Sequence, residues 1–420
     1  MDSIESRDTL MLDVFAKIVI TLYVVVGFFE KIHALLDTIL VLDAIITVFA
    51  ALYIGLWFYK YRRATMNVGT VSLFLMTFFI LFSSMVGRTS LERLGVAVFA
   101  LVETWALLLC MSELRKDIRK IFIVFSVFAI VFSFFYCLFG LLEGVELNQT
   151  RVEGLSEQAN SLGVMAGLSV LLCMLNIRTW DNLVFSVAWN LILLLLMPFF
   201  VYAMFMADSR TSFFALVFAC IFIFVTAMLF LRGRSKVFWS VVPAVFVIIS
   251  ALVFILASVR SQKAITLESL TSGRTKIWSD TFSVMGLKEY VLGFSGNTEN
   301  MIRMLKENGA SGVAISQSEK HLAHNMYFGM LFEYGIIPAV SFMVFWISSM
   351  ARGLGSLASK RKWGAREVFS ALSILAFFLI HEIGESSVYF IGGAEQLMFI
   401  ISLSVLYGIC VYSVDEERVR

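Results

Sequence analysis

Apolar residues come along this chain in long unbroken runs separated by short polar punctuation. They do not recur at the spacing of a half-buried helix or strand. A helix needs about 20 apolar residues to cross the hydrocarbon of a bilayer. On that ruler the sequence predicts about twelve spans. They fall near residues 10–29, 34–58, 68–87, 91–112, 121–142, 160–177, 182–206, 211–231, 237–258, 325–350, 366–386 and 388–413. The sixth has the shortest apolar run. The alternation that marks an outer-membrane barrel is missing, so the expected fold class is an all-α integral membrane protein.

One stretch breaks the pattern, a long polar segment over residues 259–324 between the ninth and tenth runs. It predicts ordered structure of its own. Ile277, Trp278, Phe282 and Met285 recur at helical spacing, Gly286 is placed to end that helix, and turns are expected at Gly293 and Gly296. A second helical piece is expected over Glu299 to Asn308. Apolar faces of this kind must bury against something, and short helices capping a bundle satisfy that need. The expected division is transmembrane helices over 1–258, an external catalytic loop over 259–324, and transmembrane helices with a cytoplasmic tail over 325–420.

Basic residues set the orientation. Lys60, Arg62 and Arg63, then Arg115, Lys116, Arg119 and Lys120, then Arg178, then Arg232, Arg234 and Lys236, then Arg352, Lys360, Arg361, Lys362 and Arg366 fall in alternate connections. The short connections between them hold few: Lys31, Arg88 and Arg93, Arg151, Arg210. Short loops rich in Lys and Arg stay cytoplasmic, so both termini are expected inside. Arg151, Arg210, the long loop and the end of the eleventh span with His381, Glu382 and Glu385 are expected together on the outer face.

Composition narrows the function classes. The chain is 60% hydrophobic and 15% charged, against roughly half and a quarter in soluble domains. A net charge of +2 with no basic aromatic patch argues against nucleic acid as a partner. The five cysteines stand singly in apolar runs, as buried thiols do. Residues 1–10 lack a basic n-region and a cleavage site, so the first apolar run is expected to stay as an anchor. No P-loop occurs, and no cytoplasmic connection is long enough for a nucleotide-binding domain.

The polar residues of the outer face carry the candidate chemistry. Arg210, in Asp208-Ser209-Arg210-Thr211, either anchors a helix end at the headgroups or offers a two-pronged donor fork to phosphate oxygens. Arg274, after Ser272-Gly273, opens a predicted helix, where unpaired backbone N–H groups add to the attraction for an anion. His324 and Asn325 precede the tenth run. An imidazole there is a structural hydrogen-bonding group or a base near neutral pH, and Asn325 either orients it or binds a sugar hydroxyl. Arg151 and Asn160 lie in the preceding outer connection. His381 and Glu385, four residues apart, suit one helix face and the lining of a cavity. Asp43 and Glu103 fall in mid-span without a basic partner at helical spacing.

Taken together, Arg151-x-x-Gly154, Asn160-x-x-Gly163, Ser209-Arg210-Thr211, Ser272-Gly273-Arg274-x-x-Ile277-Trp278, Gly293-x-x-Gly296, His324-Asn325-x-Tyr327 and Glu333-x-Gly335 resemble the bacterial O-antigen ligase/polymerase superfamily in order, spacing and topology. The resemblance covers roughly residues 148–345. Ala159 departs from it, where related sequences often carry Pro. The resemblance implies a metal-independent, inverting glycosyltransferase of the GT-C type, without cofactors. It would act on undecaprenyl-diphosphate-linked oligosaccharide at the outer face of the cytoplasmic membrane, among membrane lipid, with a flippase and a chain-length regulator as pathway partners. Carried over by position, Arg210 and Arg274 bind the diphosphate and His324 lies beside the acceptor, as a base or, protonated beside the anion, as a donor. Arg151, Asn160, Ser209, Ser272, Asn325, Tyr327, His381, Glu382 and Glu385 complete the expected substrate-binding set, with no metal ligand. A polysaccharide polymerase is the first expectation and a ligase of the same chemistry the second. A lipid-linked oligosaccharide flippase and a membrane scaffold are the readings from other classes.

Overall fold

A computed structural model describes residues 2–29, 36–61, 68–87, 91–146, 152, 155, 159–177, 183–231, 236–247, 274–294, 298–310, 312, 315, 324–359, 365–385 and 394–411. Its helices are α1 (Asp2–Phe29), α2 (Leu36–Tyr61), α3 (Val68–Val86), α4 (Leu91–Glu113), α5 (Ile118–Glu146), α6 (Ala159–Asn176), α7 (Leu183–Met206) and α8 (Arg210–Phe230). Next come α9 (Lys236–Val247), then α10 (Arg274–Val284), α11 (Leu287–Leu292), α12 (Thr298–Glu307), α13 (Met326–Tyr334), α14 (Ile336–Ala358), α15 (Ala365–Gly384) and α16 (Ala394–Val411). Among the described residues nine helices are long and apolar enough to cross a membrane, and the protein is a multi-pass membrane protein. Three expected spans are not among the nine: the fourth, on α4, and the ninth and twelfth, which fall on the shorter apolar helices Lys236–Val247 and Ala394–Gly408. The continuation of the ninth to residue 258 lies outside the described residues.

The tenth expectation is corrected. Residues 325–350 do not form one helix: α13 stops at Tyr334 and α14 starts at Ile336, with Gly335 between them at φ 88°. Glu333 is the one charged residue beside this break, so a hydropathy average over the whole run passes across it. A side chain at Gly335 would stand 2.1 Å from the carbonyl oxygen of Val291. The break therefore lets α11 press onto the corner between α13 and α14.

The sixth span is apolar for a different reason from its neighbours. All but one residue of α6 is buried, and Gly163, Ala166, Gly167 and Ser169 let other backbones come close. Gly167 receives the Phe377 ring of α15, where a Cβ would stand 3.2 Å from it. Small residues at such contacts are how helices pack without a hydrophobic drive between them. Around α6 lie α5, α7, α8, α15 and α16. A second group, α1, α2, α3 and α4, joins through α14 and α16. Cys110, Cys137, Cys173 and Cys220 are buried free thiols.

Two ends of the bundle can be told apart. At one, Tyr61 donates to Glu113, with Lys60 3.6 Å from the same carboxylate, and Arg366 donates to the carbonyls of Leu175 and Ile177. At the other meet the start of α6, the turn before α8, the start of α13 and the end of α15. Asn160 and Met326 both bond to Glu385 there, and Val152 N–H donates to Met206.

Helices α10 to α12 form a cap on that second end. Phe282 packs edge-on against Phe328 and Phe332 of α13 at 5.1 and 5.0 Å, and Trp278 against Phe328 at 5.2 Å. Leu305 of α12 is buried in the same small core with Val284, Met285 and Phe294. Backbone bonds seal the contact: Phe294 N–H donates to Phe332 at 2.6 Å, and Ser83 at the end of α3 donates to the Leu292 carbonyl. Residues 259–273 of the expected outer loop lie outside the described residues.

Candidate functional site

The site is built where five segments end. α10 opens at Arg274, so its first backbone N–H groups have no helical acceptor. α8 opens at Arg210 with Ser209 as N-cap, and no side chain caps it. α13 is capped by Asn325, whose oxygen accepts from Phe328 N–H at 2.9 Å while its amide nitrogen donates to the Ile383 carbonyl at 2.8 Å. That second bond ties the start of α13 to the end of α15. Ser209 closes on α6 at Gly163, where any side chain would collide with it.

Glu385, one residue past α15, is the centre. Its Oε1 accepts from Arg274 Nη2 and from Asn160 Nδ2, both at 2.6 Å, and its Oε2 lies 3.4 Å from His324 Nδ1. The side chains of Arg274, His324 and Glu385 are 13%, 19% and 10% exposed. Burial pushes Glu385 upward, but the His324 hydrogen bond and the electrostatic pull of Arg274, His381 and His324 more than offset it, leaving the carboxyl below its ordinary value. Thr211, the residue after Arg210, reaches the same place: a Cβ at Gly384 would lie 2.8 Å from Thr211 Oγ1 and 3.2 Å from Arg274 Nη1. The first turn of α8 and the Arg274 guanidinium thus flank one glycine. Arg210 is the more open arginine, 52% exposed, with Asp208 Oδ1 3.8 Å from its Nε.

Among the described residues two non-glycines take left-handed backbone, Asp208 at φ 46° and His324 at φ 48°. Such conformations cost energy and persist where surrounding structure enforces them. Each stands within two residues of an expected site residue or is one itself.

The structure brings Arg274, His324 and Asn160 onto Glu385 and sets Thr211, next to Arg210 at the start of α8, against the adjoining Gly384. Arg151 and Ser272 lie outside the described residues. Ser209, Asn325 and Tyr327 are inward-facing: Ser209 Oγ lies 2.8 Å from Ser212 Oγ, and Tyr327 donates to the Leu379 carbonyl at 2.9 Å. His381 and Glu382 are buried, with His381 Nδ1 3.1 Å from Glu382 Oε1 and its ring stacked on Phe377. His381 and Glu385, expected on one helix face, part at its end: α15 stops at Gly384, and Glu385 bonds to Arg274 and lies near His324. Spacing could not show the Glu385 contacts, which join positions 225, 111 and 61 residues apart. Among the described residues no group of three or more His, Cys, Asp or Glu side chains could hold a metal ion.

A carboxylate held in this way makes the cap sensitive to acid. Because the folded value of Glu385 is lowered, its contribution is complete above the unfolded value of 4.5 and is lost as pH falls through the folded value. The protection of amides in residues 274–307 against hydrogen exchange, taken relative to the intrinsic rate at each pH, should be flat between about pH 7 and 5 and fall below about 4.5. Glu385→Gln should remove that acid-dependent step.

A family model described as O-antigen ligase matches residues 192–343 of the chain. The matched stretch includes Arg210, Arg274 and His324 and ends before Glu385. The match supports the O-antigen ligase/polymerase superfamily and, with it, a membrane glycosyltransferase-like activity. No curated protein matches the chain.

Proposed function

We propose that this protein is a polysaccharide polymerase of the cytoplasmic membrane. It would transfer a glycan from a polyprenyl diphosphate, undecaprenyl diphosphate in a bacterium, to the terminal sugar hydroxyl of another lipid-linked repeat unit. The observation that carries the reading is the meeting of Arg274 and His324 on one buried carboxylate, Glu385, with Arg210 at the adjoining helix start; the two arginines and the histidine lie in the stretch similar to O-antigen ligases, and Glu385 lies beyond it. In this reading the chain has about twelve spans and a GT-C-type arrangement. Both termini face the cytoplasm, and the site and cap lie on the external face. The alternation of basic connections supports that sidedness.

The chemistry follows from charge. As the bond between the sugar anomeric carbon and the diphosphate oxygen breaks, its electron pair goes to the diphosphate. That leaving group needs positive charge more than a proton, and the two guanidinium groups supply it in a water-poor site. The acceptor hydroxyl attacks the anomeric carbon from the opposite face, which inverts configuration, and its proton must leave. A carboxylate can only accept, so a bond between His324 Nδ1 and Glu385 requires the proton on Nδ1. In the neutral ring this makes Nε2 the acceptor for the hydroxyl proton. Asn160 holds the other carboxylate oxygen and keeps Glu385 from turning away.

A ligase would use the same residues on a different acceptor, and the family description favours keeping that reading. Purified protein with lipid-linked repeat unit should release free lipid diphosphate. A ladder of longer lipid-linked glycans supports the polymerase, and product on lipid A core supports the ligase. Movement of the lipid-linked glycan across the bilayer without glycan transfer would support a flippase. His324→Ala should lower kcat by about 100-fold or more with an unchanged melting profile. Near-normal turnover in that variant would remove His324 from the reaction.

A further inference from the structure

Glu385 faces two groups that the proposed reaction gives to different substrates. Its contact to Arg274 on the donor side is short, 2.6 Å, and its contact to His324 on the acceptor side is long, 3.4 Å. The first is at charge-assisted length and the second lies outside the usual range for N–H to O. A diphosphate carries more charge than one carboxylate and matches the guanidinium fork, so it competes with Glu385 for Arg274. A buried carboxylate that loses its cation must gain another donor or take up a proton. Asn160 is already bonded to it, and His324 Nδ1 is the next donor. The remaining electrostatic neighbour, His381, is held by Glu382 within α15. His324 itself takes left-handed backbone, at φ 48°.

We propose that Glu385 is a positioning residue that holds Arg274 and shifts its hydrogen bonding to His324 when a diphosphate draws the guanidinium away. The acceptor-side imidazole is then fixed, proton on Nδ1, only after the donor is seated. This sequence keeps water from being activated before a sugar donor is present. The inference rests on the reading of the site as a diphosphate site.

The test uses the full chain in detergent, labelled with nitrogen-15 at histidine and arginine, and inorganic pyrophosphate as the probe. His324 is assigned with His324→Gln and Arg274 with Arg274→Lys. Pyrophosphate is expected to shift the Arg274 guanidinium signals and to move the His324 Nδ1 proton downfield, toward a stronger hydrogen bond. In Glu385→Gln the Arg274 shift should remain and the His324 shift should vanish, with kcat for glycan transfer lower by about 100-fold. A wild-type Arg274 shift with an unmoved His324 overturns the inference and leaves the diphosphate reading intact. No shift at either residue overturns both. The wild-type titration decides the matter even if Glu385→Gln does not fold.

Discussion

Arg274→Ala is expected to abolish glycan transfer, with a loss of about a thousandfold or more. Two effects act together. The reaction loses a guanidinium aimed where charge develops, and the protein loses the cation 2.6 Å from a buried carboxylate. Breaking such a pair by removing one partner costs about 3–5 kcal/mol, so the variant should also loosen the cap. The two effects separate in Arg274→Lys. An ammonium keeps the charge beside Glu385 but lacks the planar fork. Its stability should therefore approach wild type while kcat stays well below it. Transfer assays with a labelled lipid-linked repeat, paired with thermal unfolding, measure both. An Arg274→Ala protein with normal turnover would disprove the site.

Gly335→Ala should have the largest effect of any single methyl group. The residue sits at φ 88°, which side-chain-bearing residues rarely adopt, and its new Cβ would meet the Val291 carbonyl at 2.1 Å and Leu292 nitrogen at 2.9 Å. Both obstacles are backbone, so no side chain can swing aside. Gly293 is the matching half of the joint, at φ 64° with the Glu333 carbonyl carbon 2.4 Å from its would-be Cβ. Two glycines on different segments thus let the α11 turn and the α13–α14 corner touch. Adding a methyl to either should lift the cap from α13, expose Phe282 and Phe332, and lower activity without touching a charged residue. Limited proteolysis within residues 286–310 is the direct readout, and an uncleaved, active Gly335→Ala protein would contradict it.

The two variants bracket what the linear chain could reveal. Membrane helices were legible because lipid imposes one rule on every span, and the basic connections added the alternation. The helix opening at Arg274 was legible from periodicity and from the Ser-Gly pair before it. Gly335 did not register as a break because one Glu, Glu333, hardly lowers the hydropathy of a run of span length. It became interpretable only once Val291 was seen against it. Glu385 stood in the sequence as one of several polar residues near a helix end. Its central place depends on Asn160, Arg274 and His324 arriving from three other segments, and no local spacing encodes that. Tyr327 and Asn325, expected at the substrate, donate to the carbonyls of Leu379 and Ile383, which stitches α13 to α15, a role that position in the sequence does not reveal.

The enclosure of α6 has a consequence for how the chain comes to be made. A helix touching protein on nearly every side must shed its lipid neighbours during biogenesis, one flank at a time, as later segments leave the ribosome. Its final partners α8, α15 and α16 are synthesised after it, so a half-finished chain holds α6 with its serines and glycines facing acyl tails. Truncations ending before residue 365 should therefore be prey for membrane proteases, whatever becomes of the catalytic groups.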